Sequence, residues 1–106
     1  MIIGYARVST QDQNPEFQVD ALGNAGCEQI FQEKYTGKFR ERPELSQCLR
    51  TLRKGDVLVV WKLDRLGRST RDLINLMTEI KDREAGLKSL HDHIDTTTPT
   101  GKLIFH

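Results

Sequence analysis

The sequence is poor in anything that would commit it to a membrane or an oxidising compartment. Its two cysteines, Cys27 and Cys48, lack C-x-x-C spacing. No signal-peptide apolar core stands at the N-terminus, and no run is long enough to span a bilayer. The expectation is a cytoplasmic, thiol-reduced protein without membrane association. Charge of one sign is also missing: 16 Lys+Arg against 15 Asp+Glu leave a net charge of +1. A nucleic-acid partner therefore cannot be argued from bulk charge and must rest on where the arginines sit. At 106 residues the chain is one domain with a modest core.

What is present alternates in period. Residues 1–8 form a short apolar run with Tyr and Val. Asn14-Pro15 then opens a helix with Phe17, Ala21, Leu22 and Ala25 on one stripe and Gly26 as its stop. Residues 29–33 read as a weak second strand. Arg42-Pro43 begins a helix whose Leu45, Cys48, Leu49 and Leu52 share a face and place Cys48 in the core. Residues 57–61 read as a central strand buried on both faces. Ser69 and Asp72 resemble a capping box before Leu73, Ile74, Leu76, Met77 and Ile80, and Gly86 closes that helix. Residues 87–90 begin a fourth strand. Strands alternating with helices on short connections imply an α/β fold, a mainly parallel sheet with helices on both faces.

In such sheets ligands bind beyond the carboxyl ends of the strands. Two unusual segments fall there, Arg7-Val8-Ser9 and the stretch from Asp64 through Arg65 to Arg68. Alternation turns Arg7 and Ser9 to one face and Val8 to the other, so one hydroxyl and three arginines can share a site. Arginine stays charged at physiological pH and grips phosphate oxygens with two donors, which suits serine attack on a phosphodiester without a metal. Spacing alone equally allows solvated loop arginines and a serine that only caps a turn.

"GYARVSTQDQN" (4–14), "RPEL" (42–45), "VVWKLDRLGRS" (59–69) and "HIDTTTPTGKLIFH" (93–106) resemble the catalytic domain of the serine recombinases, the resolvase and invertase family, and most of all the DNA invertases. The resemblance runs almost end to end with motif order and spacing kept. It implies a resolvase-like fold and a site-specific recombinase that cleaves and rejoins DNA through a 5′-phosphoserine. The nucleophile falls on Ser9, the phosphate-binding arginines on Arg7, Arg42, Arg65 and Arg68, and the motif acid on Asp64. Gln13, Gln18 and Glu33 match secondary polar positions, and Tyr5 lies beside the site. No cofactor or metal is implied. Covalent storage of the phosphoester on serine dispenses with a nucleotide cofactor. No histidine is placed as a general base, leaving a neighbouring arginine or Asp64 to assist proton transfer.

By the same resemblance, residues 1–100 are the catalytic domain and 101–106 the stub of a long dimerisation helix, with a helix-turn-helix DNA-binding domain absent. DNA is the expected partner. A homodimer and synaptic tetramer are expected of a full-length protein, and a monomer or weak oligomer, inactive in strand exchange, of this length. The alternatives are a resolvase or transposon-type recombinase, or an inactive module that binds phosphate, DNA or another protein. His91-Asp92-His93 has a metal-like composition, but alternation on an extended segment would split Asp92 from the two histidines, and no third ligand motif lies near. Residues 34–41 read as a mobile loop and 96–101 as a turn or hinge. The apolar run at 103–105 is a helix start by the resemblance and an apolar tail without it.

Overall fold

The computed structural model describes residues 1–9, 16–35, 42–67 and 69–97, without the side chains of Ser9 and Tyr35. In chain order it forms β1 (Ile2–Ser9), α1 (Glu16–Asn24), β2 (Gln29–Tyr35), α2 (Pro43–Thr51), β3 (Val57–Val60), a 3₁₀ turn (Leu63–Arg65), α3 (Thr70–Asp82), β4 (Gly86–Ser89) and β5 (Ile94–Asp95). One sheet runs β2-β1-β3-β4-β5. The first four strands are parallel, and β5 returns antiparallel to β4. The α/β expectation holds.

Strand alternation divides the core into two layers. Ile3, Tyr5, Leu58, Val60 and Leu87 point into a larger cluster closed by α2 and α3, with Leu45, Cys48 and Ile80 among its buried residues. Ala6 and Val59 point the other way, onto Leu22 of α1. Helices thus cover both faces of the sheet. Each fully buried Leu or Ile here contributes about 1.5–3 kcal/mol. Burial also pushes the Cys48 thiol up to about 12, with Cys27 adding to the shift, so Cys48 behaves as a small hydrophobe.

Several boundaries differ from the sequence reading for physical reasons. The second strand extends through Tyr35 because β1 supplies pairing as far as Ser9, so positions 34 and 35 belong to a strand rather than a loop. Residues 36–41 lie outside the described residues, as do Asn14 and Pro15. Phe17 is 47% exposed rather than core and meets Trp61 edge-on at 4.7 Å between centroids. Ile74 is 57% exposed, since the buried edge of α3 narrows to Ile80 with Leu73, Leu76 and Met77 packed against it. The helix starts as expected, with the Ser69 side chain accepting from the Asp72 N–H at 3.1 Å.

The largest correction concerns His91-Asp92-His93. This segment is a turn, not an extended strand, and His93 adopts φ 54°, reversing the chain into β5. The face-splitting argument for these residues fails. Among the described residues no group of three His, Cys, Asp or Glu side chains gathers as a metal site. No helix of the described residues is long and apolar enough to cross a membrane.

Candidate active site

The carboxyl ends of β1 and β3 lie side by side, because β1 pairs with β3 in register from Ile2↔Val57 to Tyr5↔Val60. Ser9 closes β1, and the chain leaving β3 bends into the 3₁₀ turn that carries Asp64 and Arg65. Sheet order alone therefore brings the two sequence segments to one edge.

Arginine side chains then stitch that edge together. Arg7 donates from Nη2 to the Asp64 carbonyl oxygen at 2.7 Å. Arg42, at the N-cap of α2, donates from Nη1 to the Leu66 carbonyl oxygen at 2.8 Å and from Nη2 to Asp72 Oδ1 at 3.0 Å. Its side chain is only 12% exposed, and its ion pair with Asp72 closes to 2.9 Å. Two guanidinium groups from distant segments thus clamp the main chain of a single loop, which holds them at the strand ends.

The loop requires a glycine to approach α3. A Cβ at Gly67 would stand 2.7 Å from Leu73 Cβ and 2.9 Å from Leu73 Cα, inside any tolerable contact. Backbone bonds from Arg65 N to the Lys62 oxygen and from Leu66 N to the Leu63 oxygen, each 3.0 Å, tighten the turn. The Asp64 side chain faces solvent at 63% exposure and, among the described residues, holds long contacts, 3.9 Å to Lys62 and 4.0 Å to Arg65. Its backbone carbonyl, rather than its carboxylate, makes the bond to Arg7.

The secondary polar positions act on the frame. Glu33 is 6% exposed and accepts from Glu44 N at 3.3 Å, Leu45 N at 3.2 Å and the Tyr5 hydroxyl at 3.4 Å. It caps α2 from the neighbouring strand and so sets where Arg42 begins. Burial, and after it the Glu33 charge, push the Tyr5 phenol above its ordinary value, so Tyr5 stays a neutral donor. Gln18 is 5% exposed and donates from Nε2 to the Arg7 carbonyl oxygen at 3.0 Å, tying α1 to the end of β1.

The structure therefore brings Arg7, Arg42, Asp64 and Arg65 to one edge with the backbone of Ser9, and places Gln18 and Glu33 behind them. Arg68 and Gln13 lie outside the described residues. Sequence reasoning missed Asp72 as the partner of Arg42 and assigned Asp92 no role. Asp92 Oδ2 accepts from Leu63 N at 2.9 Å and from the buried Ser89 hydroxyl at 2.7 Å. Burial opposes its ionisation, but these two bonds and the His91 and Lys62 charges hold its carboxyl below the ordinary value. The signal for Asp72 was its place in the helix's first turn; for Asp92 only the fold supplies one.

The family model described as the resolvase N-terminal domain matches residues 2–106. A DNA-invertase of Escherichia phage P1 is 57% identical over 106 residues, which cover 100% of this chain and 57% of that protein. The serine recombinase gin of Escherichia phage Mu is 55% identical over 106 residues, covering 100% of this chain and 55% of its own length. The chain thus spans little more than half the length of these curated relatives. The crystal structure of the N-terminal catalytic domain of TP901-1 integrase superposes with a TM-score of 0.81 at 26% identity, over 98% of this chain and 87% of that one.

Proposed function

The chain belongs to the resolvase N-terminal domain family, and from that premise we propose that it is the catalytic part of a site-specific DNA recombinase of the invertase type. The observation that carries the reading is the clamp of Arg7 and Arg42 on the carbonyls of residues 64 and 66, beside the end of the strand that carries Ser9.

In the proposed reaction the Ser9 hydroxyl oxygen attacks a backbone phosphorus of DNA. An Oγ–P bond forms and the P–O3′ bond breaks; the serine proton passes to a base, and a proton delivered to the departing 3′ oxygen lets it leave as a hydroxyl. The reverse attack by a 3′-hydroxyl on the phosphoserine reseals the strand. The phosphoester bond is conserved throughout, which dispenses with a nucleotide cofactor. Arg7, Arg65 and Arg68 stabilise charge on the non-bridging oxygens, as fixed guanidinium donors do in phosphoryl transfer generally. Arg42 joins them either with further N–H donors of its guanidinium or by exchanging its contact with Asp72 for one with phosphate. DNA is the proposed substrate. Dimer and synaptic tetramer formation are proposed for the recombinase as a whole.

The test joins this chain to the sequence that follows the matched segment in the phage Mu relative, and supplies supercoiled DNA carrying that relative's recombination site. Detergent quenching should trap a covalent protein–DNA adduct, and Ser9→Ala should abolish it while the circular dichroism spectrum is unchanged. Equal adduct from the Ser9→Ala variant would refute the assignment of the nucleophile. A folded chimera that binds DNA but never forms adduct, where the phage Mu protein does, would leave a non-catalytic phosphate-binding module as the function.

A further inference from the structure

The 3₁₀ turn that presents Asp64 and Arg65 has no cap of its own. Lys62 stands at its N-cap position in extended backbone (φ −150°, ψ 147°) and makes no side-chain cap bond. The first amide of the turn, Leu63 N–H, is satisfied from elsewhere in the chain, by Asp92 Oδ2 at 2.9 Å. That oxygen is held in turn by the Ser89 hydroxyl at 2.7 Å, and Ser89 is 1% exposed at the end of β4. The turn bearing Asp92 is itself laid along the chain leaving β3, with Leu90 N donating to the Val60 oxygen at 3.0 Å and His91 N to the Trp61 oxygen at 2.8 Å. Successive bonds from residues 90, 91 and 92 therefore grip residues 60, 61 and 63.

We propose that Asp92 is a positioning residue for the candidate active site, capping the Leu63–Arg65 turn from the β4–β5 connection and fixing the angle at which Asp64 and Arg65 leave β3. The inference rests on the recombinase reading of the site. Among the described residues Asp92 touches no candidate reacting group; it acts through Leu63. The bond fits a carboxylate, because one oxygen accepts two donors at once, the Leu63 N–H and the Ser89 hydroxyl, while its negative charge sits at the amino end of the turn. Displacing the turn would shift the Asp64 carbonyl on which Arg7 is anchored and the Leu66 carbonyl on which Arg42 is anchored. Geometry at a phosphoryl-transfer site is unforgiving: a misplacement of about 1 Å can cost roughly a hundredfold in rate.

The test compares Asp92→Ala and Asp92→Asn with the parent in the phage Mu chimera, measuring DNA affinity and, at saturating DNA, the rate of adduct formation. Asp92→Ala should lower the rate about tenfold or more with affinity changed less than about twofold, because phosphate-contacting groups remain but are misaligned. Asp92→Asn keeps an amide oxygen that can accept from Leu63 N–H and should recover most of the rate. In the 106-residue chain, amide exchange at Leu63 should quicken in Asp92→Ala while core amides of β1 keep their protection. If the parent chimera forms adduct and Asp92→Ala forms it as fast, the positioning role is refuted while the recombinase reading stands. Slowing with no recovery in Asp92→Asn, or with β1 protection lost as well, would mean that Asp92 only stabilises the fold. A parent chimera without adduct refutes the function itself, and Leu63 exchange then still reports whether the cap exists.

Discussion

Replacing Glu33 tests how the frame holds Arg42, because one buried carboxylate serves three donors from two segments, β1 and the start of α2. Glu33→Ala would strand the Glu44 and Leu45 amides at the start of α2 and leave the buried Tyr5 hydroxyl without its acceptor. Loss of a helix cap costs about 0.5–2 kcal/mol. An orphaned buried hydroxyl costs about 1–3 kcal/mol. The three contacts are long, 3.2–3.4 Å, which places each towards the lower end of its range. The expected loss is therefore about 1.5–3 kcal/mol in urea unfolding, where each kcal/mol corresponds to roughly 4–8 °C in Tm for a chain this short. Glu33→Gln keeps one acceptor oxygen but turns an NH₂ group towards a donor, so it should cost about 1–2 kcal/mol. Tyr5→Phe removes only the longest bond and should cost under about 1 kcal/mol, and in the Glu33→Ala background it should recover part of the loss, because the orphaned hydroxyl is gone. A Glu33→Ala loss below about 1 kcal/mol, or full additivity with Tyr5→Phe, would refute the claim that this carboxylate seats α2.

Two further expectations follow from contacts at the loop and the N-terminus. Gly67→Ala forces a Cβ to 2.7 Å from Leu73 Cβ, so the loop must move; urea unfolding should show a loss of about 1–3 kcal/mol, and an unchanged midpoint would mean that loop and helix part easily. The N-terminal ammonium bonds Asp56 Oδ1 at 3.0 Å, and that bond, with a second from Arg53 N, holds the Asp56 carboxyl below its ordinary value. Its folded form binds fewer protons than its unfolded form, so the stabilisation is full above the ordinary Asp value of about 4 and fades as pH falls through the folded value. Asp56→Asn should flatten the acid limb of a stability-versus-pH curve, and an unchanged slope would place the acid sensitivity elsewhere.

The α/β class, three helices and four parallel strands were legible in the sequence because each rests on local signals. The stripe Leu45, Cys48, Leu49 has helical period, Arg42-Pro43 has the form of a helix start, and Ser69 with Asp72 has the form of a cap. The candidate residues were legible by motif, and sheet order then explains why segments 57 residues apart, Arg7 and Asp64, touch. What sequence could not supply is partner choice across that distance. Whether Glu33 faces a phosphate or the start of α2 depends on which strand lies beside β2 and which helix crosses above it. Phe17 and Ile74 obey helical period yet stay exposed, since which turns of a helix meet the sheet depends on how the helix lies across it, and period alone does not say. Residues 91–93 alternate as a strand would, but the backbone bonds from Leu90 to Val60 and from His91 to Trp61 hold the chain against the end of β3, where it reverses at His93. Local preference sets the elements. Pairing energies between distant strands set which carboxylate meets which amide, and those energies exist only once the sheet has formed.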